Sequence, residues 1–257
     1  MRIWAIGLLI SLCGAAAHAQ IATTRPTQLS AQSSADEVLD ALDARGKSLQ
    51  DFSATVKLTD TNDSVGDSTS NTGTVVLQKK SADDARIRVA FTRREADDKI
   101  FPVDRQFTLD SGQLVERDYQ EKKETRRQVL KPGQKLDLFK LGEGPFPLPL
   151  GQPRQDVEKM FDVVKIDPVA GDPPGTVHLQ LTPKPKSQFA GQFKTIDVWV
   201  DPKSAMPIQI QTVDPNVTTT KTTELKDIKI NGGASDKDFA QPPLPDGWDV
   251  VDEPYEQ

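Results

Sequence analysis

Histidine and cysteine are almost absent from this chain, and that narrows its chemistry at once. Among 257 residues there are two histidines, His18 and His178, and one cysteine, Cys13. His178 lies in VHLQLTPK, where it alternates with Gln180 and Thr182 opposite Val177, Leu179 and Leu181. A period of two places it on the solvated face of a strand, away from any substrate. No serine stands in a G-x-S-x-G elbow, so a serine hydrolase lacks its local signature. No glycine-rich loop precedes a helix to cradle phosphate. Asp60, Asn62, Ser64 and Asp67 are calcium-ligand types, but Val65 stands where the loop glycine belongs and no glutamate closes the site. Asp83-Asp84 and Asp97-Asp98 could supply glycosidase carboxylates, yet adjacent acids in charged stretches read as solvated turns. The run Glu121–Arg127 mixes both signs and reads as a solvated hairpin end. The expectation is a protein that is not an enzyme and has no cofactor or metal.

The first nineteen residues read as a secretory signal peptide. Arg2 is a basic n-region, Ile3–Leu12 is an apolar run too short to span a bilayer well, and Ala17-His18-Ala19 is a cleavage site before Gln20. Cys13 leaves a lipoprotein alternative open, although Leu12 stands where a lipobox wants a small residue. Cleavage takes away Cys13 and His18, so the mature chain has no disulfide, no thiolate and one imidazole. Losing Arg2 takes the net charge from −6 to −7. A mildly acidic export product is a poor partner for nucleic acid. No other stretch is apolar enough for a membrane span, and a monomer is expected. About 238 residues remain (257 less 19), an ordinary size for one all-β domain.

The elements follow from the spacing. Residues 20–33 are polar and aperiodic, a disordered spacer. Ser34 and Glu37 form a capping box before Val38, Leu39 and Leu42, and Gly46 is placed to end that helix. From Phe52 the period changes to two. The tract Asp60–Gly73 is nearly all Asp, Asn, Ser, Thr and Gly and reads as a long polar hairpin loop. Strands follow over 74–79, 85–91, 105–109, 113–119 and 126–130, with Asp110-Ser111-Gly112 as a tight turn. A helix is expected over 156–161 from Val157, Met160 and Phe161. Strands resume at 163–166, 176–182, 194–200, 207–213 and 220–230, before a Pro-rich acidic tail from Asp236. The segment FKTIDVWVDPKSAMPIQIQTV is the clearest: Ile196, Val198 and Val200, then Ile208 and Ile210, alternate with polar residues across an Asp201-Pro202-Lys203-Ser204 turn. Val75 and Leu77 alternate likewise. The fold class is mostly β with a few helices, a single curved antiparallel sheet with helices over its concave face.

Between the strand sets lies an apolar insert in which Leu136, Leu138, Phe139, Leu141, Phe146 and Leu148 are dense and five prolines forbid a long helix. A surface loop would not expose so many large side chains. Two readings stand: a plug packed permanently on the sheet, or a lid over a cavity that accepts an acyl chain.

The order of these motifs resembles the periplasmic lipoprotein carriers of the LolA/LolB type. VHLQLTPK is followed by FKTIDVWVDP, MPIQIQTVDP and LKDIKIN. FAQPPLPDGWDV then resembles the family's closing F-x-x-x-P-P-x-G-x-x-V. In the N-terminal half, Leu49–Ala54, GTVVLQK and the Asp110–Leu114 stretch with Tyr119 match more softly. The resemblance covers 34–250, leaving 251–257 as an acidic tail. It implies an incomplete β-barrel with an apolar concave face, closed by the N-terminal helix and a short helical lid. It implies a periplasmic carrier of acylated lipoproteins or free lipid, moving between an inner-membrane donor complex and an outer-membrane acceptor. Val75, Leu77, Val177, Leu179, Leu181, Ile196, Val198, Val200, Ile208 and Ile210 stand on apolar strand faces that would either line the cavity or pack beneath the helices. A Val198→Asp change would then abolish fatty-acid uptake and leave the fold largely intact. A basic residue that holds the lid falls on Lys79, or Lys80 with a one-residue slip; lysine cannot make the forked contacts of the arginine found in the best-known carriers. The same fold also serves sensors, so an envelope sensor or structural protein contacting a protein partner is the alternative.

Overall fold

A computed structural model describes residues 29–81, 84–130 and 150–255. The chain runs α1 (Ala35–Ser48), β1 (Asp51–Asn62), β2 (Asp67–Ser81), β3 (Asp84–Ala96), β4 (Lys99–Asp110), β5 (Gln113–Asp118), β6 (Lys123–Gln128), α2 (Arg154–Met160), β7 (Phe161–Ile166), β8 (Val177–Pro183), β9 (Thr195–Asp201), β10 (Met206–Val213), β11 (Thr219–Ile230), α3 (Asp236–Phe239) and β12 (Asp249–Glu253). These strands form one sheet in the order β12-β6-β5-β4-β3-β2-β1-β11-β10-β9-β8-β7. Its outermost strands, β12 and β7, do not pair, so the sheet is an incomplete barrel. Every pairing is antiparallel except β12 with β6.

Register carries apolar side chains across the sheet in rows. Leu114, Leu109, Ile87, Leu77, Phe52 and Ile230 are successive cross-strand partners from β5 to β11. On the far side Ile210, Val198 and Leu179 form another such row. One face of the sheet is therefore continuously apolar, and it meets α1 and α2 in a single buried cluster. Cross-strand contact of this kind is the unit of sheet stability.

Three local expectations are corrected. Gly46 does not end α1: the helix runs on to Ser48, capped by the Leu49 N–H on the Arg45 carbonyl at 3.0 Å. The capping box does form, with Ser34 N–H donating to Glu37 Oε2 at 2.8 Å. The tract Asp60–Gly73 is not a long loop. β1 and β2 pair in register to Asn62↔Asp67, and only Asp63–Gly66 turns the chain. Both faces of this ribbon are polar, so no apolar alternation marks it; Thr59 and Ser70 instead share a cross-strand hydrogen bond of 2.9 Å. Asp97 and Asp98, at φ of 50° and 58°, make the two-residue turn between β3 and β4. Of the spacer expected over 20–33, residues 20–28 lie outside the described residues, and Leu29 is buried in the core.

Smaller shifts follow the same physics. The strand expected over 126–130 runs from Lys123 to Gln128, and the helix expected over 156–161 is α2, with Phe161 already the first residue of β7. The tail is structured as far as Glu253.

The β10–β11 turn rests on one carboxylate. Asp214 accepts from the Thr218 and Thr219 N–H groups, both at 2.6 Å, from Asn216 N–H at 3.2 Å and from the Thr218 hydroxyl at 3.0 Å. The Thr219 N–H most strongly holds this carboxyl below its usual range; desolvation opposes it, and the Thr218 and Asn216 donors reinforce it. A depressed folded pKa gives stability that is complete above the ordinary carboxylate pKa and lost as pH falls through the lower folded value. Asp214→Ala is therefore expected to melt a few degrees below the parent from neutral pH down to about pH 5, with the gap shrinking below about pH 4. Melting curves across that range check this; a gap that widens in acid contradicts it.

Candidate functional site: the apolar inner face

The two halves of the inner face differ. Across β7–β10, helices α1 and α2 lie against each other and against β7. Arg45 Nε on α1 reaches the Ser204 carbonyl in the β9–β10 turn at 2.6 Å. Val38, Leu39 and Leu42 fill the space beneath. The expected cavity residues Val177, Leu179, Leu181, Ile196, Val198, Val200 and Ile210 are all in this packed cluster, with Val198 at 0% exposure. Val198→Asp thus puts a carboxylate into a dry core, where it disrupts packing instead of reporting uptake. Val75 and Leu77 on β2 are equally buried.

Ile208 does not join them. The β9–β10 register shifts between Pro207 and Gln209, and the extra residue is Ile208, which lies outside the core cluster. A bulge of this type turns one side chain away from the face that simple alternation assigns to it.

Over β3–β5 the same face is less covered. Val89 and Leu109 keep 7% and 9% exposure, and Phe91, Phe107 and Leu114 are half-buried. Phe91 and Phe107 meet edge to face at 6.0 Å. Val129 and Leu130, just beyond β6, pack against this end too. Sequence reasoning left these residues out of the site. The signal was present, because Phe107 and Leu109 alternate with Gln106 and Thr108, and Val89 and Phe91 with Arg88 and Ala90.

The lid candidates Leu136, Leu138, Phe139, Leu141, Phe146 and Leu148 lie outside the described residues. The insert's exit is described, and it is clamped. Leu150 is fully buried, and Gly151 N–H donates to the Leu42 carbonyl at 3.1 Å. Gly151 takes a φ of 75°, which favours glycine. Lys79 extends its ammonium to the Gly46 carbonyl at 2.5 Å, close to the α1 C-terminus. A cation there complements the helix dipole. The neighbouring candidate, Lys80, instead meets Asp110 at 2.8 Å and Ser111 at 3.0 Å.

The outer face holds two buried polar clusters around residues that the sequence reading assigned to solvent. His178 is 8% exposed, not solvated. Its ring stacks on Trp199 at 4.2 Å, and Nε2 lies 2.9 Å from Asp197 Oδ1. Nδ1 makes no hydrogen bond and faces Asp172 Oδ2 at 3.7 Å. The β7–β8 loop brings Asp172 over β9, where it accepts from the Trp199 indole at 2.8 Å. Burial pushes the Asp172 carboxyl up, but the Val169 N–H, the indole and His178 outweigh it and hold it below the usual range. Both imidazole nitrogens face carboxylates and the ring is covered, so the cluster serves as a strut that fastens the loop to the sheet. The second group lies in the run Glu121–Arg127. Glu124 is 1% exposed and binds both Arg117 and Arg126.

Neither a family model nor a curated protein matches the chain. Solved structures do. An uncharacterized conserved protein from Thermus thermophilus shares 12% identity at a TM-score of 0.47, over 85% of this chain and 98% of that one. The complex of MucA and MucB from Pseudomonas aeruginosa gives 12% identity and a TM-score of 0.46, over 81% of this chain and 61% of that one. A LolA superfamily protein from Nitrosomonas europaea gives 12% and 0.32, over 81% and 98%.

Proposed function

We propose that this chain is a non-enzymatic carrier in the periplasm that holds the acyl chains of lipoproteins, or another lipid, against the β3–β5 half of its inner face. The observation that carries the reading is the asymmetry of that face. One half is filled by α1 and α2. The other presents a continuous apolar surface with half-buried Phe91, Phe107 and Leu114. The chain then runs straight from β6 into the apolar insert, which is the natural cover. Each buried methylene contributes about 0.8 kcal/mol, so about eight of them contribute about 6 kcal/mol with no polar anchor. A cover that opens would let such cargo leave. Among the described residues no helix is long and apolar enough to cross a membrane.

Native mass spectrometry of residues 20–257, purified gently, tests the reading alongside uptake of a fluorescent fatty acid. An added mass that extracts as lipid or acylated peptide supports it. Phe107→Asp is expected to weaken uptake at least about tenfold while far-UV circular dichroism stays unchanged, because the ring lies at the less covered end of the face. A folded Phe107→Asp chain with undiminished uptake contradicts the assignment. A bare mass with no uptake would mean that the interior is plugged and that the protein acts by contacting a partner protein.

A further inference from the structure

We propose that the side of β6 away from β5 is a docking edge for an acidic, extended peptide of a partner protein, and that β12 is the chain's own exchangeable occupant of that edge. β12 is the one strand of the described sheet that pairs in parallel, and it is also the last. Its register sets acid against base: Asp249 opposite Lys123, Asp252 opposite Arg126, Glu253 opposite Arg127. Arg127 Nε meets Glu253 at 2.5 Å and Arg126 lies 3.8 Å from Asp252.

The strand brings little apolar burial with it. Val250 is 41% exposed, and the Asp252 and Glu253 side chains are 73% and 41% exposed. A backbone ladder, partly screened ion pairs and the edge-to-face contact of Trp248 with Tyr119 at 5.1 Å hold β12, and an acidic extended segment with an aromatic residue at the same place offers the same.

The approach to β12 also suits exchange. Between α3 and β12 the chain passes through Pro242, Pro243, Pro245 and Gly247, the last at a φ of 83°. This stretch borders a cleft of about 500 Å³ whose other walls include Val115, Arg117, Glu124 and Arg126. The tail lies over an arginine-rich outer face. Arg86 meets Asp236 at 2.5 Å and covers the Phe239 ring at 4.2 Å. Arg88 donates to the Asp238 carbonyl at 3.1 Å, and Arg117 to the Pro242 carbonyl at 2.8 Å. Lifting the tail uncovers a basic strip on a protein whose net charge is −6. That contrast selects an acidic partner. The tethered strand competes with it at high effective concentration, so docking in trans is gated by release of β12.

The test uses the full mature chain and a fluorescein-labelled peptide of residues 246–257, DGWDVVDEPYEQ. A second peptide replaces its acids with amides. The double change Asp252→Lys with Glu253→Lys repels β12 from Arg126 and Arg127. That variant is expected to bind the acidic peptide at least about tenfold tighter than the parent, to ignore the amide peptide, and to lose the gain when Arg127→Glu is added. Equal binding by parent and variant, or equal binding of both peptides, overturns the proposal. So does a variant that self-associates into a dimer the peptide cannot break, since the occupant would then be a second copy. Hydrogen exchange on the parent keeps the proposal testable if the variant fails to fold. Amides of Asp249–Glu253 should exchange at least about a hundredfold faster than those of Gln113–Asp118, and equally slow exchange would show a fixed strand.

Discussion

Gly46→Ala is expected to destabilise the protein by about 3 kcal/mol or more, although alanine is the better helix former by about 1 kcal/mol. A Cβ at this position would lie 2.1 Å from the Gly151 nitrogen, 2.2 Å from its Cα and 2.7 Å from the Leu150 carbonyl carbon. All three are backbone atoms, so no rotamer change relieves the collision. Gly151 cannot simply back away, because its N–H is bonded to the Leu42 carbonyl and Leu150 beside it is fully buried. The substitution forces either α1 or the exit of the apolar insert off the sheet. The Lys79 contact with the Gly46 carbonyl would be disturbed with them. Urea unfolding followed by circular dichroism measures the effect, and a rise in dye binding to newly exposed apolar surface should accompany it. An unchanged midpoint would show that the contact between α1 and Leu150–Gly151 is not made in solution.

Removing Glu124 is expected to cost about 3–5 kcal/mol, which is large for a residue in so charged a stretch. Its carboxylate is almost completely enclosed and receives the Nε donors of Arg117 and Arg126. Arg117 is itself 6% exposed, and it also donates to the Pro242 carbonyl at 2.8 Å. Glu124→Ala leaves that guanidinium buried without a counter-charge, and the desolvation penalty is then uncompensated. Glu124→Gln keeps an acceptor and should cost less, about 1.5–3 kcal/mol. Pairing Arg117→Met with Glu124→Leu should cost less than either single removal, because two fitted apolar side chains leave no charge behind. A double-mutant cycle by urea unfolding decides the matter. Single changes that each cost under about 1 kcal/mol would mean that water reaches the pair and that its burial is not maintained in solution.

Much of the architecture is written in periodicity. The alternation from Phe52, the paired strands either side of Asp201–Ser204, and the capping box before Val38 are local signals, and each stands where spacing puts it. They are legible because one face of each element is buried and the other is wet, and that difference selects the residue types. The ribbon over Asp60–Gly73 escaped for the converse reason: both faces carry polar residues, so its alternation has no apolar mark.

Part of the candidate site was legible. Ten apolar strand positions were recognised, and the half-buried Phe91, Phe107 and Leu114 on which the proposal rests were not among them. Alternation says that Val198 and Phe107 both face inward; it is silent on which of them α1 will cover. Ile208 went astray because a bulge changes the phase of alternation without changing its composition.

By itself, then, the sequence determined a mostly β chain with one apolar face, a capped N-terminal helix and no local catalytic motif, because these depend on neighbours within a few residues. Only the tertiary structure decided that α1 fills the β7–β10 half, that Gly46 is a contact point and not a helix stop, and that His178 and Glu124 are buried. It also decided that an acidic tail closes the sheet on β6. Each of these depends on what arrives from more than a hundred residues away or from a loop crossing the sheet, and single-strand periodicity carries no information about such arrivals.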